Sequence, residues 1–223
     1  MRYRHEWKHE INYTDMLILR QRLCAVAKYD LHTIDGKYQI RSLYFDNASD
    51  KALREKLDGV NQREKFRIRY YNGDTSFIRL EKKSKINGLC RKKSVPLKEA
   101  QARAIVNGRY RFMKTNEHAL IHELYLKIIT QGLRPKVIVD YTREPYTFAP
   151  GNVRVTMDSQ IRTSLSCTDF LNPESITIPV RADKIILEVK WDAFLPDIIR
   201  DAVRLQGRHS DPFSKYAAGR VYG

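Results

Sequence analysis

The stretch Glu64-Lys65-Phe66-Arg67-Ile68-Arg69-Tyr70-Tyr71 leaves a chain few ways to fold. At the two-residue period of a β-strand, Lys65, Arg67 and Arg69 share one face, and Phe66, Ile68 and Tyr70 share the other. One side needs a core and the other needs water or an anion. A single strand with a solvated cationic face would be ordinary. Here the pattern recurs.

After the turn signal Asn72-Gly73-Asp74, residues 76–85 read as the antiparallel partner. Phe77, Arg79, Glu81, Lys83 and Lys85 share a face, with Ile78 and Leu80 on the other. Past Asn87-Gly88 a third strand over 89–95 puts Arg91 and Lys93 on one side. Residues 3–11 alternate too, with Arg4, Glu6, Lys8 and Glu10 together. Further strands are expected over 38–46, 136–143, 153–158 and 182–192; in the last, Ile186, Glu188 and Lys190 oppose Ile185, Leu187, Val189 and Trp191. Helices are expected over 14–28 with Thr14 as N-cap, and over 48–58, 97–106, 117–130 and 196–205. Residues 159–179 read as a polar excursion, and Phe213 to Ala217 end the pattern. His118 and His122 lie four apart but without an H-E-x-x-H arrangement, and they read as surface or packing residues.

These segments predict an α+β chain of about eight strands with peripheral helices, forming one domain over residues 1–223. A sandwich would bury its apolar faces between sheets and leave charge outside. The intervening helices need apolar sheet surface to cover, so the pattern favours a barrel, apolar outside and polar within. A formal charge of +15 predicts a polyanionic partner. A lumen rich in Lys and Arg needs carboxylates or a bound anion to offset self-repulsion. Glu6, Glu10, Glu81 and Glu188 answer part of that, and a row of phosphates would answer the rest. Carboxylates among phosphate-binding cations also suit Mg²⁺ or Mn²⁺. There is no G-x-x-x-x-G-K-[ST] loop and no convincing nucleophile and base set.

Cys24, Cys90 and Cys167 are far apart with no C-x-x-C pair, which suits a reducing compartment. The N-terminus has no apolar h-region, and no run is long enough to be a transmembrane segment. A soluble, cytoplasmic protein is expected. The strand aromatics Phe66, Tyr70 and Trp191 fall opposite the charge, so no base-stacking platform forms and nucleic acid is not the expected partner. No oligomeric state follows from the sequence.

The ordered segments R-H-E-W-K, F-R-I-R-Y-Y, L-E-K-K, V-I-V-D-Y-T-R, V-R-V-T-M-D, I-L-E-V-K and F-S-K-Y resemble the VTC-type polyphosphate polymerase domain. That domain belongs to the triphosphate tunnel metalloenzymes, related to the CYTH proteins. The resemblance implies a closed eight-stranded antiparallel β-barrel, the triphosphate tunnel, in which the γ-phosphate of ATP passes to inorganic polyphosphate. It implies catalytic roles for Lys8, Arg67, Arg69, Lys83, Arg143, Arg154 and Lys215, and ligand binding by Arg67, Arg69, Lys83, Arg91 and Lys190. Arg91 falls where the family carries a lysine. Glu188, with Glu6, would hold Mn²⁺ or Mg²⁺. Family hydrolases begin E-x-E-x-K, whereas this chain has Arg4-His5-Glu6-Trp7-Lys8, which favours transfer over hydrolysis. A tripolyphosphatase or nucleoside triphosphatase of the same fold, and a non-catalytic polyanion or nucleic-acid binding module, are the alternatives.

Overall fold

The computed structural model describes residues 4–87, 89–180, 184–205, 207 and 213–220. Tyr3, Gly88 and Ala182, each part of an expected strand or turn, lie outside them. Eight strands run along one sheet: β1 (His5–Ile11), β10 (Ile185–Trp191), β8 (Val153–Thr163), β7 (Arg134–Phe148), β3 (Tyr38–Asp46), β4 (Arg63–Tyr71), β5 (Asp74–Ile86) and β6 (Leu89–Leu97), in that spatial order. Short β2 (Lys28–Tyr29) pairs with β7, and β9 (Ile178–Pro179) with β8. All neighbours are antiparallel.

The sheet curls, because Lys83 of β5 reaches within 3.0 Å of Glu6 on β1 although five strands separate them along the sheet. It does not close. The expected closed barrel is an open one; among the described residues, one antiparallel bridge, Arg4 just before β1 with Cys90 of β6, joins its two edges. Elsewhere the seam is spanned by side chains such as the Glu6–Lys83 pair, and Pro96 on β6 has no N–H to offer a neighbour.

Alternation places the helices. On the convex side, α3 (Glu99–Val106) and α4 (Ala119–Gln131) pack Ala102, Ile105, Leu120, Ile121, Leu124 and Ile128 on Leu43, Phe66, Ile68, Tyr70, Ile78 and Leu80. A second convex cluster joins α1 (Tyr13–Val26) and α5 (Asp197–Ala202) to Val153, Val155, Met157, Leu187, Val189 and Trp191. His118 and His122, at the start of α4 and within it, belong to the convex layer rather than to the cationic face. Helix α2 (Lys51–Leu57) starts later than expected; Asp46 accepts from the N–H groups of Ala52 and Leu53 in its first turn. Helix α1 begins before Thr14, because Asn12 is the N-cap and forms a reciprocal capping box with Asp15.

The helix α6 (Lys215–Arg220) was not anticipated, and it lies on the concave side. Tyr216 stacks on Tyr44 at 5.3 Å and donates to Asp46 at 2.6 Å. Gly219 permits the approach, since a Cβ there would meet Thr163 Oγ1 at 3.1 Å and Val139 at 3.2 Å. Two residues of β7, Asp140 and Thr142, span three pairing steps of β8, Arg162 to Ser159, around Gln160 with φ near 50°. This bulge shifts the side-chain phase, so that Arg154, Thr156 and Asp158 face inward below it and Ile161 and Thr163 above it. The expected excursion after residue 159 is therefore partly strand.

Candidate functional site

Directly opposed residues of an antiparallel pair share a face, so the register assigns the concave surface. Arg67 opposes Glu81, Lys65 opposes Lys83, and Lys83 opposes Lys92. On the other flank Arg143 opposes Asp158, and Lys8 opposes Glu188. Curling brings both flanks together.

Three interlocked groups result. Glu81, buried, receives Arg67 Nε at 2.9 Å and lies beside Lys92. Arg67 also donates to Tyr44 Oη at 2.9 Å, and Arg69 to Tyr71 Oη at 3.1 Å. Arg69 Nε lies 3.0 Å from Glu81 but is not aligned for a hydrogen bond, which leaves a buried N–H without an acceptor among the described residues. Asp158, fully buried, takes both Arg143 nitrogens at 2.6 and 2.7 Å and Lys215 Nζ at 2.5 Å. Arg143 and Lys215 both sit over the Tyr141 ring. Glu6 and Glu188 share cations: Lys8 is 2.7 Å from Glu6 and 3.5 Å from Glu188, and Lys190 is 3.5 and 2.6 Å from them.

Desolvation opposes charge on Glu6, Glu188, Lys8, Arg67 and Arg143, and their partners outweigh it. Burial and Glu188 push the Glu6 carboxyl up, but Lys8, Lys83 and Lys190 outweigh them and hold it below its usual value. Burial likewise works against ionised Glu188, and Lys190 and Lys8 bring it well below the carboxylate range. Burial lowers Lys8, yet Glu188 and Glu6 carry it above an ordinary lysine. For Lys190 burial prevails over the same carboxylates and lowers it to about 8. Arg67 and Arg143, despite burial, stay firmly charged beside Tyr44 with Glu81 and beside Asp158, respectively.

Lys8, Arg67, Arg69, Lys83, Arg143, Lys190, Lys215, Glu6 and Glu188 therefore converge on one surface. Arg154 lies at its rim, donating to Tyr38 Oη at 2.6 Å and lying 3.0 Å from Asp30. Arg91 does not join them. It opposes Ser84 and faces outward beside Lys82 and Lys93, whereas Lys92 takes the inward position. Sequence reading missed Lys92, Asp158, Tyr44 and Tyr141. Alternation with Arg154 and Arg143 would have found Asp158 and Tyr141. Besides Arg69 Nε, the hydroxyls of Ser42 and Thr156 are buried without a hydrogen-bond partner among the described residues; both lie on this surface, opposite Arg69 and Glu188.

Glu6 and Glu188 are two ionised carboxylates on adjoining strands, a donor set that fits Mg²⁺ or Mn²⁺ drawing its other ligands from phosphate and water. Among the described residues no cluster of three His, Cys, Asp or Glu side chains could enclose a metal by itself. Nor is any described helix long and apolar enough to cross a membrane.

The chain is similar in fold to the PH1012 protein of Pyrococcus horikoshii OT3, at 14% identity and TM-score 0.51, covering 95% of this chain and 96% of that one. It is also similar to a Bacillus halodurans protein named a "putative adenylate cyclase", at 11% identity and TM-score 0.51, covering 85% and 80%. No curated protein matches it. The family model for the VTC domain matches residues 3–222, nearly the whole length. With an α+β half-barrel whose inner face gathers these cations, the chain belongs to the VTC domain family.

Proposed function

We propose that this protein is a metal-dependent phosphotransferase of the polyphosphate polymerase type, which moves the γ-phosphate of ATP onto the end of an inorganic polyphosphate chain. The observation that carries this reading is the concave face itself. Arg67, Arg69, Arg143, Lys8, Lys83 and Lys190 converge there, and a buried Arg69 N–H and two buried hydroxyls have no hydrogen-bond partner among the described residues. Linear phosphates supply closely spaced acceptors for such a surface.

In the proposed reaction a terminal phosphate oxygen of the chain attacks the γ-phosphorus. The bond to the β–γ bridging oxygen breaks, and ADP leaves with that electron pair. Arg67, Arg69 and Arg143 hold the phosphoryl oxygens in line, and the lysines offset charge spreading over them in the transition state. Glu6 and Glu188 would hold Mg²⁺ or Mn²⁺, which when bound supplies further charge neutralisation on the phosphates. Glu81 and Asp158 keep the arginines oriented before substrate arrives. Arg4, paired with Asp192 at 2.8 Å, adds a cation where the hydrolases carry a glutamate, and this supports transfer rather than attack by water.

The test is incubation of purified protein with ATP and Mn²⁺, resolving nucleotide and polyphosphate together. ADP accompanied by a polyphosphate ladder is expected. Orthophosphate released without chain growth would replace the polymerase reading by a hydrolase, and no turnover of ATP or tripolyphosphate would overturn both.

A further inference from the structure

One row of the concave face stands apart from the arginine groups. Lys65, Lys83 and Lys92 lie side by side across β4, β5 and β6, each directly opposite the next. Neighbouring strands are about 4.8 Å apart, and like charges placed opposite one another destabilise a sheet. Such a row persists only where something offsets it. Lys83 has Glu6 at 3.0 Å, and Lys92 has Glu81. Among the described residues, Lys65 has no carboxylate within ion-pairing distance, and its ammonium rests 5.6 Å from the centre of the Tyr44 ring. It is half-buried and faces the same cavity as Arg67, one step further along β4.

We propose that Lys65 is a further anion-binding residue of the concave face, contacting a phosphoryl group next to the one held by Arg67 and Arg69. The inference rests on the proposed function, and it deepens that reading by lengthening the run of phosphate contacts. On β4 the positions of Lys65, Arg67 and Arg69 are spaced about 7 Å apart, so the three span more than a single phosphate. Lys65 is the member of the row without a carboxylate partner among the described residues, and a ligand phosphate would complete the row of lysines.

The surroundings give this contact a signature. Burial, Lys83, Arg67 and Lys8 all disfavour the ammonium, and only Glu6 favours it, so Lys65 lies well below an ordinary lysine. The groups facing it are Arg67 on its own strand, Lys83 on β5, Lys8 and Glu6 on β1, and Tyr44 on β3. A phosphate arriving beside Lys65 therefore draws a proton onto it.

Isothermal titration with tripolyphosphate in metal-free buffers of different ionisation enthalpy, near pH 8, reads affinity and proton uptake together. The unaltered protein is expected to bind with proton uptake. Lys65→Gln should weaken binding about ten- to hundredfold, the worth of one hydrogen bond to a charged group, and reduce the uptake. Lys65→Arg should keep most of the affinity yet show the same reduced uptake, because guanidinium is already charged. A purely structural role would not produce that split. Arg109→Gln, which removes one charge from the exposed convex side, controls for net charge and should leave both readings unchanged. If Lys65→Gln binds as tightly as the unaltered protein, or if uptake is the same in all forms, the role of Lys65 is overturned while the proposed function stands. Failure of the unaltered protein to bind tripolyphosphate would overturn both.

Discussion

At the scale of single residues, the cationic face works because each buried acid serves more than one base. Asp158 is the clearest case, with no exposure of its own and with Arg143 and Lys215 on its two oxygens. Asp158→Asn removes the counter-charge and leaves both cations buried, so a loss of about 3–5 kcal/mol is expected in urea unfolding. Desolvation opposes the Asp158 carboxylate, but Arg143 and Lys215 prevail and hold its folded value below the ordinary 3.8. Its contribution is then fully present above pH 3.8 and lost as the pH falls through the lower folded value. The variant should flatten that acid limb of the stability profile. Asp158 was legible in principle, since it keeps step with Arg154 in V-R-V-T-M-D. The choice between Arg91 and Lys92 was not. In a run where successive residues are all cationic, alternation has no phase, and only the pairing of β5 with β6 decides which side chain turns inward.

Among the elements, a strand whose cationic and apolar residues alternate without interruption was readable, as β4 shows from Lys65 to Tyr70. Local chemistry that competes at a boundary was harder to place. Thr14 has the side chain of an N-cap, yet Asn12 adopts the extended backbone, accepts from the Asp15 N–H at 2.8 Å, and has its own N–H accepted by the Asp15 carboxylate at 3.1 Å. Asn12→Ala should therefore cost about 1 kcal/mol in thermal or urea unfolding, and Thr14→Ala should be close to neutral. Helix α6 escaped notice for another reason. It is six residues long, and what fixes it is a distant pocket made by Tyr44, Asp46, Val139 and Thr163, which no local pattern contains. The same holds for the Gln160 bulge, whose effect on phase appears only once β7 is beside it.

For the whole molecule, the alternation of charge correctly implied a curled sheet with helices outside, but not whether its ends join. Closure depends on long-range geometry between the first strand and the sixth, and among the described residues it amounts to one bridge between Arg4 and Cys90. The bridge can be fixed chemically. In a background with Cys24 and Cys167 changed to Ser, Arg4→Cys should form a disulfide with Cys90 under mild oxidation, since opposed residues in an antiparallel pair lie within disulfide range. The oxidised form should unfold at a higher temperature than its reduced form, by an amount equivalent to about 2–4 kcal/mol. Absence of the cross-link would mean that the two strands stand further apart than one bridge allows. The seam also bears on solubility. A half-barrel has two edge strands whose unpaired backbone groups could template association with another molecule, the hazard that a fully closed barrel avoids. In this chain β1 and β6 are turned toward each other, and β6 carries Arg91, Lys92, Lys93 and Pro96, charges and a missing N–H that discourage pairing with a foreign strand. Each edge thus shields the other from aggregation without sealing the cavity between them.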